Sequence, residues 1–163
     1  MRAMLSRRTG LLVSCGVLLS GCVVNAINGS GTIKSESRPA AGFSRVVLSG
    51  GGRLVLNRAG SESVSVSADD NLLPYIRTDV HGNTLDLGFD DSMNGIRPTK
   101  DVVFTVSAKQ LEELTVSGSG VADVKDIDRD SFRATISGSG TIEYVGTPRV
   151  SDHISGSGTV RRR

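Results

Sequence analysis

The chain has no tryptophan, and its 163 residues include only four phenylalanines and two tyrosines. So few flat rings leave little on which to stack bases or sugars. Histidine is as scarce: His81 and His153 stand alone in the sequence, each reading as a turn or surface residue rather than a ligand. No Gly-x-x-x-x-Gly-Lys-Ser/Thr stretch occurs, so the many glycines form no phosphate-cradling P-loop. No Gly-x-Ser-x-Gly occurs either, and no helix pattern follows any of the repeated serines, which excludes a nucleophile elbow. Of the two cysteines, Cys15 lies inside an apolar run and Cys22 ends it.

That apolar run belongs to a leader. Arg2, Arg7 and Arg8 supply a basic start, and Leu11, Leu12, Val13, Val17, Leu18 and Leu19 a short apolar middle. It falls short of the about 20 apolar residues that span a bilayer. Ser20 and Gly21 are small, as a signal peptidase needs before its cut. Leu19-Ser20-Gly21-Cys22 resembles the lipobox of bacterial lipoproteins. The resemblance implies removal of residues 1–21 and acylation of Cys22, which becomes the first mature residue and the membrane anchor. An ordinary secretory leader that contains Cys22 is the alternative. Two or more acyl chains hold a protein on a membrane stably. Val23 stands where Asp would favour inner-membrane retention, so the expected location is the bacterial cell envelope, lipid-anchored at the outer membrane. Ser6-Arg7-Arg8-Thr9-Gly10-Leu11 also resembles a twin-arginine export signal, although a plain basic start accounts for it.

Removing residues 1–21 of the 163 leaves 142, enough for one domain. The three leader arginines go too, taking Lys+Arg from 19 to 16 against 17 Asp+Glu. The basic balance of the whole chain is therefore a property of the leader, and no clustered basic face points to nucleic acid as a partner. With Cys22 acylated, no thiol remains for a disulfide, a thiolate metal site or a cysteine nucleophile.

What the sequence has in quantity is a repeat. Val116-Ser117-Gly118-Ser119-Gly120 returns as Ile136-Ser137-Gly138-Ser139-Gly140 and as Ile154-Ser155-Gly156-Ser157-Gly158. Looser copies are Asn28-Gly29-Ser30-Gly31 and Leu48-Ser49-Gly50-Gly51-Gly52. The late copies begin 20 and then 18 residues apart, with a gap of 68 between early and late sets. Each copy reads as a strand end followed by a tight glycine corner. Between corners, apolar residues alternate: Val64, Val66 and Ala68; Ile76, Thr78 and Val80; Leu85, Leu87 and Phe89; Phe132, Ala134 and Ile136. Period-two patterning bounded by turn residues predicts strands. Short coils of equal length cannot bury their inner faces alone, and stacking covers them. The expected fold is thus an all-β, single-stranded parallel solenoid with about seven coils between residues 27 and 160. An antiparallel β-sandwich with Gly-Ser hairpins is the alternative.

Several blocks, in order, resemble the autotransporter-adhesin head domain, the GIN domain. They are Phe43 to Gly50, Asn83-Thr84-Leu85-Asp86-Leu87, Leu111 to Gly120, and Tyr144 to Val150 followed by Ile154 to Gly158. The resemblance implies a right-handed parallel β-helix over residues 42–163, behind a lipidated N-terminus and linker at residues 22–41. It brings no enzymatic activity and no cofactor.

Chemistry-bearing clusters are few. Asp126, Asp128 and Asp130 alternate as in the first half of a calcium loop and are the candidate metal ligands. Ser131 stands where that loop wants Gly, and Ser137 where it wants Glu. Asp69-Asp70 and Asp90-Asp91 are further acidic pairs that read as solvated turns. Arg161-Arg162-Arg163 reads as a solvated tail, or as a contact for anionic lipid headgroups. The expected role is a non-catalytic, lipid-anchored envelope protein, an adhesin-like surface-interaction module meeting an envelope or host glycan or protein. Two readings compete with it. One is a carbohydrate-active enzyme, which needs two carboxylates close together in a cleft; the other is a purely structural spacer.

Overall fold

The computed structural model describes residues 26–90, 95–127 and 131–163. Among these residues the chain forms strands β1 (Ile27–Asn28), β2 (Ile33–Arg38), β3 (Arg45–Gly50), β4 (Arg53–Arg58), β5 (Ser63–Asp69), β6 (Ile76–His81), β7 (Thr84–Phe89) and β8 (Ile96–Arg97). They continue as β9 (Val103–Ala108), β10 (Glu113–Gly118), β11 (Val121–Lys125), β12 (Ser131–Gly138), β13 (Thr141–Tyr144), β14 (Arg149–Gly156) and β15 (Thr159–Arg162). A single 3-10 turn, Leu73–Tyr75, joins β5 to β6.

Two large sheets carry nearly all of this. One has the order β14-β12-β10-β3-β7-β6 and the other β15-β13-β11-β4-β9-β5-β2, while β1 and β8 form a small separate pair. Both large sheets are mixed. In the first, only β6–β7 is antiparallel; in the second, β5 runs antiparallel to both β9 and β2. Alternate residues of each strand meet in one core. Val46, Leu48, Leu114, Val116, Ala134 and Ile136 point in from one sheet; Leu54, Leu56, Val64, Val66, Phe104, Val106, Ala122 and Ile142 point in from the other. The alternation read from the sequence is the burial pattern of these strands. Phe132 and Tyr144 meet edge to face, with centroids 6.1 Å apart, where the core thins towards the last strands.

The expected single-stranded right-handed parallel β-helix is not what forms. The architecture is sandwich-like, built from several mixed sheets. Two features break the helix. Gly82-Asn83 closes a two-residue hairpin between β6 and β7 and turns the chain back on itself. In addition, β3 and β4 insert between strands remote in sequence, β3 between β7 and β10 and β4 between β9 and β11. The 68-residue gap therefore holds the β6–β7 hairpin and the antiparallel strand β5, not further copies of one coil. The sandwich alternative comes nearer, but its Ser-Gly pairs are not hairpins. Each carries the chain from one sheet across to the other: β3 to β4, β10 to β11, β12 to β13 and β14 to β15. Ahead of residue 42, Ile33–Arg38 pairs with Val64–Asp69 as the edge strand of the larger sheet.

These arches stack in register. Gly50, Gly118, Gly138 and Gly156 are successive Cα partners across β3, β10, β12 and β14. Each arch hydrogen-bonds to the one beside it: Ser119 N–H donates to Gly50 O at 3.0 Å, Ser139 to Gly118 at 2.9 Å and Ser157 to Gly138 at 2.9 Å. At Gly118 and Gly138 the backbone has φ of +116° and +122°. A Cβ there would lie 2.5 and 2.6 Å from the neighbouring glycine carbonyl oxygen. Both the conformation and the close approach exclude any other residue without strain.

Candidate functional surface

With the core between the sheets apolar, most polar groups lie on the outer faces of the sheets. On the larger sheet, Asp123 of β11 and Glu143 of β13 are Cα partners. Both are nearly covered, at 8% and 5% exposure. What covers them is arginine. Arg53 Nη1 lies 2.7 Å from Asp123 Oδ2, Arg163 Nε lies 2.6 Å from Glu143 Oε2, and Arg161 donates to Glu143 Oε1 from Nε at 2.7 Å and from Nη2. Arg163 Nη1 stands 3.8 Å from Asp123 Oδ1, which accepts no hydrogen bond. The Arg161 hydrogen bond, aided by the charges of Arg161, Arg163 and Arg53, holds the Glu143 carboxyl below its ordinary value in spite of burial. A carboxylic acid that protonates a glycosidic oxygen needs the opposite shift. The Asp123–Glu143 pair is thus arranged as an arginine-clamped brace. Sequence reading missed it because its members lie 18 to 70 residues apart. It also corrects the reading of the C-terminal arginines, since Arg161 and Arg163 are committed to these carboxylates.

Asp69 corrects another expectation. Rather than sitting in a solvated turn, it is fully buried. Its Oδ1 accepts from the Thr99 hydroxyl at 2.6 Å and from Gly31 N–H at 2.8 Å, and its Oδ2 from Thr99 N–H at 2.9 Å. The Thr99 hydroxyl bond is the main cause that lowers its carboxyl below the ordinary value against the opposing effect of burial. Asp69 therefore ties the segments around Gly31 and Thr99 to the end of β5. Asp70 accepts from Ser30 Oγ and from Asn71 N–H beside it.

Of the candidate calcium ligands, Asp126 is exposed, with φ of +60°, and borders a hollow shared with Arg58 and Lys109. Two cations are poor company for a third. Asp128 and Asp130 lie outside the described residues, as do Asp91 and the acylation candidate Cys22. Among the described residues no three His, Cys, Asp or Glu side chains gather to hold a metal. His81 and His153 are exposed on β6 and β14. No helix among the described residues is long and apolar enough to cross a membrane.

The outer face of the six-stranded sheet carries the other polar feature. At the starts of β3, β10, β12 and β14, Arg45, Glu113, Arg133 and Ser151 are successive Cα partners. They line an open groove of about 380 Å³. Arg45 Nε lies 3.6 Å from Glu112 and 3.9 Å from Glu113.

These features define a class: a small all-β domain whose mixed sheets are joined by stacked glycine arches and whose outer faces carry in-register polar rows. Within that class, the chain belongs to the family described as "Putative auto-transporter adhesin, head GIN domain", whose model matches residues 42–163. Solved structures share its fold. A crystal structure described as a putative lipid binding protein from Parabacteroides distasonis aligns with TM-score 0.69 at 22% identity, over 85% of this chain and 61% of that one. A putative adhesin from Parabacteroides merdae aligns with TM-score 0.50 at 15% identity, over 85% of this chain and 99% of that one. A putative adhesin from Parabacteroides distasonis gives 0.50 at 16% identity, over 85% and 100%. The chain thus spans about three fifths of the length of the first of these. No match is found among curated proteins.

Proposed function

We propose that this protein is a non-catalytic, adhesin-like module of the bacterial cell envelope, anchored by lipid on Cys22. It presents the outer faces of its two sheets to an envelope or host glycan or protein. The carrying observation is the membership of residues 42–163 in the adhesin head family, joined to outer faces of ordered charge rather than a reactive cleft. The solved relatives described as adhesins support the same reading. The lipobox-like ending at Cys22 supports the anchor, with the outer membrane as its destination. Against the carbohydrate-active reading stands Glu143, kept ionised by Arg161 where a general acid would have to be protonated.

Two measurements test this. Expressed in a Gram-negative host, the chain incorporates labelled palmitate and sediments with outer membranes, and Cys22→Ala loses both. Label that survives in the variant removes the anchor. On an array of envelope and host glycans, the protein binds without releasing product. Turnover abolished by Glu143→Gln or Asp123→Asn would install the enzyme in its place.

A further inference from the structure

The groove on the six-stranded sheet holds a more specific arrangement. On β12 the outward residues at its mouth are Ser131 and Arg133; on β14 they are Arg149 and Ser151. Register pairs Ser131 with Arg149 and Arg133 with Ser151. The four side chains therefore mark a square, with arginines on one diagonal and serines on the other. Strand spacing and rise put the diagonal Cα atoms about 7–8 Å apart. Two guanidinium forks at that separation reach one small anion between them, and the serine hydroxyls supply donors at the other two corners.

Charge accounting sharpens the point. Glu112 and Glu113, the acids of this groove, lie within 3.6 and 3.9 Å of Arg45. Arg133 and Arg149 are exposed, and neither has a carboxylate within ion-pair distance among the described residues. Arg133, the Cα partner of Glu113, and Arg149 stand on neighbouring strands with no ion pair among the described residues, and an oxyanion placed between them relieves their mutual repulsion. Pairing of β12 with β10 and with β14 fixes the four backbone positions before any ligand arrives.

We propose that Arg133, Arg149, Ser131 and Ser151 form an oxyanion site that takes a carboxylate or phosphate borne on a polysaccharide. The site rests on the surface-interaction reading and names its ligand chemistry: an acidic glycan, not a neutral one.

Titration calorimetry on the full chain in detergent, using trigalacturonate, maltotriose and inorganic phosphate as probes, tests the site. Trigalacturonate or phosphate binds and maltotriose does not. Arg133→Gln with Arg149→Gln lowers the affinity at least tenfold, as the loss of two charge-assisted contacts requires. Arg133→Lys with Arg149→Lys keeps the charge and loses the fork, and falls between. Ser131→Ala and Ser151→Ala each weaken binding by about three- to tenfold. Lys125→Gln, at the end of β11 on the other sheet, changes nothing. Binding by phosphate assigns the square to phosphate-bearing polymers, and binding by trigalacturonate alone assigns it to uronic-acid polymers; both uphold it. Equal binding of maltotriose, no binding of either anion, or affinity unchanged in the double glutamine variant overturns it. If cells displaying the double glutamine variant still adhere while anion binding is gone, the square is not the adhesive surface, yet the adhesin-like role survives.

Discussion

Replacing Gly138 with alanine separates two kinds of glycine in this fold. At Gly138 a Cβ would sit 2.6 Å from the Gly118 carbonyl oxygen, and φ is +122°. The oxygen cannot retreat, because it already accepts from Ser139 N–H at 2.9 Å inside the ladder of arches. Backbone strain of this kind costs about 1–3 kcal/mol. Forcing a methyl into a filled space costs about another 1–3 kcal/mol. Together they take a large share of a domain stability of about 5–15 kcal/mol. Gly42 is the comparison: its φ is +79°, yet nothing lies within 4 Å of an added Cβ, so only the backbone contribution applies. Gly60 has neither constraint, and alanine there changes stability by about 0.5 kcal/mol or less. Urea unfolding of the three variants, followed by far-ultraviolet circular dichroism, should rank the losses Gly138→Ala, Gly42→Ala, Gly60→Ala. A Gly138→Ala midpoint equal to that of Gly42→Ala would refute close arch-to-arch contact as the reason for the glycine column.

Three further outcomes follow from the same structure. Phe104 is fully buried between the sheets, so Phe104→Ala should destabilise by about 3–5 kcal/mol in the same unfolding assay. The Glu143 carboxyl is held below its ordinary value of 4.5, so its stabilising effect is complete above that value and fades as pH falls through the lower folded value. Acid unfolding of Glu143→Gln should therefore be flatter than wild type below pH 4.5, with lower stability at neutral pH. Asp69→Ala orphans Thr99 N–H, the Thr99 hydroxyl and Gly31 N–H; amide exchange at Gly31 and Thr99 should quicken while β12 stays protected.

The strands were legible in the sequence because burial follows a period of two. Val64, Val66 and Ala68 are buried as their alternation with serine implied. Equal corners were legible too, and Gly118, Gly138 and Gly156 do align. Repetition alone, however, does not say which strand lies beside which. The placement of β3 between β7 and β10 depends on contacts between residues far apart in the chain, which leave no local mark. One local signal was present and went unread: Gly82-Asn83 between two alternating runs is a hairpin signature. Between β9 and β10 the chain bends, and Leu111 and Leu114 are both drawn into the core. The clamps on Asp123, Glu143 and Asp69 were invisible for the same reason as the strand order. Their partners are chosen by register, and register is fixed only once the sheets have formed.

The stacked arches also constrain how this protein can change in length. Each arch bonds to the peptide oxygens of its immediate neighbour, at Gly50, Gly118 and Gly138 and again at Gly52, Gly120 and Gly140. A whole strand–arch–strand segment added between β13 and β14 would leave every pairing beneath it intact. One residue gained inside an arch would throw the strand that follows it out of step, swapping its core side for its wet side. Changes of length should thus fall in the connections between arch units, or come as whole strand–arch–strand steps, and spare the arches themselves.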